Sequence, residues 1–220
     1  MASMGRKDAF PGADGSTITQ ETGTSQNATT IPIYGVNGNS LTEGSTGLKR
    51  VDITTSGVLS KNTSQVYSIK NPLSFIYNAN EPRDWYTDNE TYQNNTLWVD
   101  DTKTNYDPCP SGWRVPTDAS RTFGDFSITT FLYYIQGKQT SLGNSNVTNG
   151  RLYNQISWFP AEGYRSYVQG NFYSVGTNGY CRSSTISDVK VKVLYFNMEG
   201  IYPHDTNRRA YGLPVRCIQE

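Results

Sequence analysis

The stretch YDPCPSGWRVPT, residues 106–117, is the most distinctive part of this 220-residue chain. It holds three of the 10 prolines, one of the three cysteines and one of the four tryptophans. Large aromatic side chains usually lie in the interior of a protein. We therefore expect Trp113 in this stretch, and Trp158 further along the chain, to anchor the core.

The composition around this stretch is rich in residues that form turns and strands. Thr, Ser, Gly and Asn number 25, 21, 20 and 19, which is 85 of 220 residues, and aromatic residues reach 13%. These small residues are uncommon inside helices and common in turns, caps and strands. The aromatic content and the balanced charge also argue against a disordered chain. The sequence therefore predicts a turn-rich protein that is mostly β.

Charge and motif content exclude several classes of function. The 19 basic and 19 acidic residues balance without a basic stripe, so no nucleic-acid partner is expected. No run of 18 apolar residues occurs, so no direct membrane insertion is expected, and the N-terminus lacks the apolar region of a signal peptide. The chain has a single histidine, three cysteines without CxxC spacing and no glycine-rich nucleotide motif. We therefore expect no catalytic residue, no metal and no cofactor.

Residues 1–30 and 31–220 differ in composition. Residues 12–30 contain hardly an apolar side chain, so 1–30 is expected to be a flexible N-terminal tail or a remnant of cloning. Short apolar runs that begin at Ile31 predict strands, including strands at 31–34 and 66–69. These strands are expected to form one domain over 31–220, in which 31–64 is an uncertain N-terminal β extension. The run at 126–136 is compatible with a helix or a strand.

Several separate stretches together resemble one family. The resemblance is carried by residues 106–117, NPLSFI at 71–76, LW at 97–98, WFPAEGYR at 158–165, GYCRSS at 179–184 and RAYGLPVRC at 209–217. These motifs look like those of the Fibrobacter succinogenes major paralogous domain, which is related to the formylglycine-generating enzymes. The resemblance spans about residues 65–220 and implies an α+β, mostly β architecture. The resemblance implies that 31–220 is a ligand-binding domain of C-type-lectin-like fold, with short helices, twisted antiparallel strands and long irregular loops.

The resemblance also implies a function and a location. Such domains lie at the C-termini of surface and fimbrial-tip proteins of Bacteroidetes, and some are variable proteins of diversity-generating retroelements. We therefore expect a non-enzymatic ligand-binding or adhesion module with a variable face rich in Tyr, Asn and Ser. It would be extracellular, on a cell surface through a pilus tip or a lipoprotein anchor, or on a phage virion. Its expected partner is a protein or glycan on another cell or virion surface.

Two alternative functions follow from the same resemblance. One is a constant surface or fimbrial-tip adhesin, or a carbohydrate-binding domain, of the same fold. The other is an oxidase of the formylglycine-generating type, which uses thiols to bind copper. The fold alone does not choose among these functions, because function depends on the site.

The three cysteines are interpreted through this resemblance. Cys109 and Cys217 lie in its two most recognisable motifs, which implies a Cys109–Cys217 disulfide. Cys181 then remains unpaired. It is open to three interpretations: a small core residue, a varied surface position, or a reactive or copper-binding thiol.

Diversification by a retroelement acts on adenines, so the codons it reaches limit the residues of a variable face. Randomised AAY codons encode Asn, Tyr, Ser, Asp, Cys, Arg and His among others, but never Lys, Trp, Gln, Glu or Met. Residues 164–220 contain seven of the 16 tyrosines and no tryptophan. The predicted ligand-binding face consists of Tyr167, Asn171, Tyr173, Asn178, Tyr180, Cys181, Arg182, Tyr195, Asn197, Tyr202, His204, Asp205, Asn207 and Tyr211.

Overall fold

A computed structural model describes residues 1–13, 30–44, 47–118, 126–127, 129–135, 138–140 and 150–220. The protein is mostly β, as the composition predicts, with 34% of the described residues in strands and 5% in helices. Within these ranges, no helix has the length and apolar character that crossing a membrane requires.

The described part of the chain contains thirteen strands and two short helical segments. The strands are β1 (Lys49–Asp52), β2 (Ser74–Tyr77), β3 (Trp113–Arg114), β4 (Phe131–Ile135), β5 (Lys138–Thr140), β6 (Gly150–Tyr153), β7 (Ser157–Pro160), β8 (Tyr164–Arg165), β9 (Phe172–Tyr173), β10 (Gly179–Ser187), β11 (Lys190–Phe196), β12 (Ile201–Asn207) and β13 (Ile218–Gln219). The helical segments are α1 (Gln65–Lys70) and a 3-10 turn at Glu90–Tyr92.

Among the described residues, the strands form five small sheets rather than one large sheet. A four-stranded sheet has the order β5-β4-β6-β7, and a three-stranded sheet has the order β10-β11-β12; both are antiparallel. The pairs β8-β9 and β13-β3 are antiparallel, whereas β1 runs parallel to β2. The sheet of β10, β11 and β12 carries much of the predicted ligand-binding face and positions the site described below.

Three of the apolar runs can be compared with their predicted structure. Residues 66–69 lie in α1 rather than in a strand, and residues 31–34 contribute only an isolated bridge, between Tyr34 and Ser40. Helix α1 is held at its start because Ser64 Oγ donates a hydrogen bond of 2.6 Å to the Trp85 carbonyl, so its inner face packs while Ile69 stays exposed. The run at 126–136, compatible with a helix or a strand, contains β4.

The first 13 residues pack against the domain, which corrects the prediction of a flexible tail for this part of 1–30. Ala2 exchanges backbone hydrogen bonds of 2.8 and 3.1 Å with Leu213, and Met4 and Phe10 are buried. The guanidinium of Arg6 is buried 4.7 Å from the Phe10 ring centroid. The prediction failed because these few apolar side chains reach a core formed by distant segments. Residues 14–29 of the predicted tail lie outside the described residues.

Residues 47–64 share a core with the segments that follow them. Strand β1 pairs with β2 along its whole length, from Lys49 opposite Ser74 to Asp52 opposite Tyr77. Ile53 and Val58, which follow β1, are buried in one cluster with Ile76. This part of the uncertain β extension therefore packs as part of the domain.

Two of the four tryptophans lie in the core, but they are not the two that were expected there. Trp85 and Trp98 are buried, and the Trp98 indole donates a hydrogen bond of 2.8 Å to the Tyr106 carbonyl. Trp113 and Trp158 remain 43% and 39% exposed, so the expectation that they anchor the core was wrong. Trp158 lies on β7, at the edge of its sheet, where the following residue, Phe159, takes the buried position.

The stretch at 106–117 is fixed to the C-terminal part of the chain. Cys109 and Cys217 form the predicted disulfide, with their Cα atoms 5.8 Å apart. The Asp107 carboxylate organises the stretch internally, because it accepts hydrogen bonds of 2.8 Å from the backbone N–H groups of Cys109 and Val115. Strand β13, which follows Cys217, pairs with β3. A covalent bond and a strand pair thus join the two most distinctive motifs.

Buried arginines hold the irregular segments in place. Arg6, Arg151, Arg165, Arg182 and Arg209 are all fully buried. A buried guanidinium needs acceptors for its N–H groups, and backbone carbonyls supply many of them here. Arg151, for example, donates to the carbonyls of Phe131 at 2.7 Å and Asn197 at 2.6 Å. Loops of this chain are therefore fixed from the inside by side chains as well as by sheet pairing.

Candidate binding surface

A row of three tyrosines crosses the sheet of β10, β11 and β12. Tyr180 is the register partner of Tyr195, which is in turn the partner of Tyr202. Register partners present their side chains to the same face of a sheet. The rings of Tyr180 and Tyr195 stack with centroids 5.0 Å apart, and those of Tyr195 and Tyr202 stack at 5.2 Å.

Four further tyrosines extend this row. The ring of Tyr164 on β8 lies 5.6 Å from that of Tyr180 and stacks at 5.8 Å on Tyr173. Tyr211 lies 5.0 Å from Tyr164 and 4.8 Å from Tyr167, both edge to face. The seven connected rings include every tyrosine of residues 164–220 and are called the tyrosine ribbon: Tyr164, Tyr167, Tyr173, Tyr180, Tyr195, Tyr202 and Tyr211.

The tyrosine ribbon lies at the boundary between the core and the solvent. Tyr202, at one end, is 48% exposed, and the other six side chains are partly buried. At the other end the guanidinium of Arg83 lies 5.1 Å from the ring centroid of Tyr167. Glu81 pairs with both Arg83 and Arg208, at 3.3 and 3.2 Å. The ribbon thus ends in a small group of surface charges.

Two of the predicted asparagines contact the ribbon. Asn197 donates a hydrogen bond of 3.0 Å to the Tyr195 hydroxyl, and Asn178 donates one of 3.5 Å to the Tyr180 hydroxyl. Asn197 Oδ1 also accepts from the backbone N–H groups of Glu199 and Gly200, at 2.9 and 2.8 Å. These amides orient the phenols and add polar groups to the aromatic surface.

Four phenols of the ribbon hold their protons more tightly than an exposed tyrosine does. Partial burial raises the pKa of Tyr164, Tyr180, Tyr195 and Tyr211 above the usual value near 10. Neighbouring phenols raise the pKa of each group further, whereas hydrogen bonds from Asn178 and Asn197 lower those of Tyr180 and Tyr195 in part. These four tyrosines therefore present neutral hydroxyl groups that can donate or accept hydrogen bonds at physiological pH.

Cys181 and Arg182, two residues of the predicted face, are instead buried. Cys181 points to the opposite side of β10 from Tyr180 and packs with Leu194 and Phe196. Of the three interpretations, the structure selects the small core residue for Cys181, and burial raises the pKa of its thiol to about 12. The sequence does not reveal which side of β10 is covered, because the covering residues are distant in the chain.

Arg182 lies beneath the segment that carries Tyr211. Its Nη2 donates to the carbonyl oxygens of Tyr211 at 2.9 Å and Arg208 at 3.3 Å. Burial lowers the pKa of Arg182 to about 9, and the charge of buried Asp84 partly opposes that decrease. Arg182 therefore supports the ribbon from below and does not face a ligand.

The remaining predicted residues lie near the ribbon without joining it. His204, Asp205 and Asn207 follow Tyr202 on β12, and His204 Nδ1 lies 2.8 Å from Asp118 Oδ1. Asn171 donates to the Gln169 side chain at 3.4 Å. The structure thus brings together six predicted tyrosines with Asn178 and Asn197, and it removes Cys181 and Arg182 from the face.

Tyr164 belongs to the ribbon although the sequence did not predict it as a face residue. It lies in the WFPAEGYR stretch at 158–165, one of the stretches that carry the family resemblance. Its ring contacts Tyr173, Tyr180 and Tyr211, so it joins the row on the sheet to the tyrosines of the loops. The only signal in the sequence is that it is the first of the seven tyrosines in 164–220.

Comparisons with known proteins assign neither a family nor a function to this surface. No family model, no curated protein and no solved structure matches the chain. In the part of the chain that the structure describes, no group of three or more His, Cys, Asp or Glu side chains is placed to hold a metal ion. The candidate surface therefore rests on its own geometry.

Proposed function

We propose that this protein is a non-enzymatic binding module of C-type-lectin-like fold whose tyrosine ribbon is the variable, ligand-contacting face of a retroelement-diversified protein. The observation that carries the proposal is the continuity of the ribbon. Seven tyrosines from β8, β9, β10, β11, β12 and two loops form one connected series of ring contacts that reaches the solvent at Tyr202.

The chemistry of the ribbon suits the recognition of macromolecules. A tyrosine offers a large contact area, loses little rotamer freedom on binding and carries a hydroxyl group. Aromatic residues are also enriched where protein interfaces derive most of their binding energy. The half-buried rings of the ribbon are already fixed by their neighbours, so binding orders few additional side chains. A protein or glycan on another cell or virion surface is the proposed partner.

The neighbours of the ribbon support a division into variable and fixed positions. Ribbon tyrosines, Asn178 and Asn197 all have side chains that reach the solvent in part, and AAY codons encode both residue types. Gly179 offers no such freedom, because a Cβ atom there would lie 1.8 Å from the Phe196 ring. Buried Cys181 and Arg182 are expected to be equally fixed. Diversification would therefore change the ribbon and spare the residues directly beneath it.

The cysteines favour a binding function over the oxidase alternative. Copper chemistry of that kind needs accessible thiolates, and Cys181 is buried with its pKa raised to about 12. Cys109 and Cys217 are joined to each other in a disulfide. A structural disulfide is typical of proteins in oxidising compartments, which supports the proposed extracellular location.

Sequencing of a natural population tests the diversification. The gene is read from many individual cells or virions. We expect amino-acid differences concentrated at ribbon positions and restricted to residues that AAY codons encode, with Gly179 and Arg182 unchanged. A ribbon that is identical in every individual, with differences scattered elsewhere, would reject diversification and leave the constant adhesin of the same fold.

A pair of displayed libraries tests the binding function. One library randomises six ribbon positions with AAY codons: Tyr167, Tyr173, Tyr180, Tyr195, Tyr202 and Tyr211. The control library randomises six positions around α1 and the 3-10 turn: Lys61, Asn62, Val66, Ile69, Lys70 and Tyr92. After selection on the same purified proteins and glycans, we expect binders from the ribbon library. Equal enrichment from both libraries would contradict the proposal.

A further inference from the structure

A small cavity opens beside Tyr180, at the edge of the tyrosine ribbon. Its volume is about 120 Å³, and Pro160, Pro214 and Val215 contribute apolar parts of its lining. This is well below the roughly 300–1,000 Å³ of pockets that bind whole small molecules. The cavity has room for one side chain of a bound partner, not for a complete ligand.

Glu162 is one of the two charged groups that line the cavity. It follows β7 and is partly buried, and none of the described residues donates a hydrogen bond to its carboxylate. Burial raises its pKa, and the Met1 amine opposes this only in part. That amine donates its own hydrogen bond to the Phe10 carbonyl. A half-buried carboxylate that receives no hydrogen bond from the described residues is only partly solvated, and a cationic donor would stabilise it.

The other charged group of the lining, Arg216, is held by contacts within the protein. Its Nη1 donates to the Trp158 carbonyl and its Nη2 to Ser157 Oγ, both at 2.6 Å. Its guanidinium lies 4.2 Å from the ring centroid of Phe159. Arg216 therefore occupies the place where a second planar guanidinium could stack on that ring. A compact ammonium group on a flexible alkyl stem does not compete for this place.

We propose that this cavity receives one lysine side chain of the partner protein, whose ammonium group pairs with Glu162. The inference rests on the proposed binding function and specifies one contact of it. The methylene stem of the lysine lies along the apolar lining, as long charged side chains commonly do. Tyr180 also lines the cavity, so the bound side chain lies next to the tyrosine ribbon. Glu162 then selects for a basic residue beside the aromatic contact area.

The test uses small probes on the intact protein. Nα-acetyl-lysine amide is titrated while the backbone amide signals of Glu162, Gly163 and Tyr180 are followed by NMR. The comparison probes are Nα-acetyl-norleucine amide, which keeps the stem without the charge, and Nα-acetyl-arginine amide. We expect saturable shifts at these amides with the lysine probe, and binding weaker by about tenfold with norleucine. Equal affinity for norleucine or for arginine would overturn the proposal.

Matched variants distinguish the effect of the Glu162 carboxylate from that of negative charge elsewhere on the surface. Glu162→Gln is expected to weaken the lysine probe by about tenfold, whereas Glu199→Gln, at an exposed carboxylate near Asn197, leaves it unchanged. Glu162→Asp, which keeps the charge, is tested in case the glutamine variant does not fold; it retains binding of lysine over norleucine. An unchanged affinity in folded Glu162→Gln overturns the lysine site.

The probe experiment is independent of the function proposed for the ribbon. If the ribbon library yields binders but the probe does not bind, the lysine site is wrong and the binding face remains. If the probe binds but the library yields no binders, the cavity is correct and the proposed function fails.

Discussion

The rings of Tyr180 and Tyr195 stack across β10 and β11 with their centroids 5.0 Å apart and their planes inclined by 20°. The two residues are also direct register partners. Cross-strand aromatic pairs of this kind contribute about 0.5–1.5 kcal/mol beyond the area they bury. The central part of the proposed binding face is therefore also part of what holds the sheet together.

Stability should decrease more at the centre of the tyrosine row than at its exposed end. Tyr195 stacks on two rings, whereas Tyr202 stacks on one and is 48% exposed. We expect Tyr195→Ala to lower the free energy of unfolding by about 2 kcal/mol and Tyr202→Ala by less than about 1 kcal/mol. Urea denaturation followed by fluorescence measures both. An equal loss of stability in the two variants would contradict the larger stabilising role expected for Tyr195.

Alkaline pH should destabilise the protein through the ribbon. Burial raises the pKa of Tyr180 and Tyr211, so the folded state keeps their protons at a pH where the unfolded state, titrating near 10, has released them. Stability is therefore complete below pH 10 and decreases as the pH rises through the folded-state values.

The double variant Tyr180→Phe and Tyr211→Phe should show a smaller decrease in stability above pH 10. Thermal melts between pH 8 and 11, with phenolate absorbance recorded in parallel, measure the effect. A wild type and a double variant with the same dependence on pH would show that these two phenols are not responsible.

Removal of the disulfide should destabilise the protein strongly. The Cys109–Cys217 bond joins residues 108 positions apart, and closing so long a loop contributes about 4–5 kcal/mol on the chain-entropy model. We expect the Cys109→Ser and Cys217→Ser double variant to lose stability on that order. Cys181→Ala, which removes the one free cysteine, is the matched control and should cost only about 1 kcal/mol. Thermal unfolding of the wild type, the double variant and Cys181→Ala is measured without reductant. Similar melting temperatures for the wild type and the double variant would contradict the prediction.

Gly179 should not tolerate any side chain. A Cβ atom at this position would lie 1.8 Å from the Phe196 ring, which packs directly over the glycine on the neighbouring strand. We expect Gly179→Ala to lower the free energy of unfolding by about 2 kcal/mol or more. Gly12→Ala is the control, since a Cβ atom there meets no atom within 4 Å. Denaturant titrations compare the two variants, and equal stabilities would rule out the close contact.

The sequence predicts the broad architecture and part of the face because these depend on local properties. Composition indicates turns and strands, and the concentration of tyrosine after residue 164 marks the segment that carries the ribbon. It does not reveal burial that depends on distant segments. Arg182 is covered by residues 208–211, and Ala2 pairs with Leu213. In both cases the contacting residues are far apart in the sequence. Trp158 is exposed because the neighbouring residue, Phe159, takes the side of β7 that distant segments cover.

The disulfide has a mechanical consequence that bears on the proposed adhesion function. All seven tyrosines of the ribbon lie between Cys109 and Cys217, inside a covalently closed ring of chain. A pulling force applied to the two ends of the chain is transmitted directly through the sulfur–sulfur bond. The segment from 110 to 216 then carries none of the tension along its backbone, so the force does not pull directly on the residues of the ribbon.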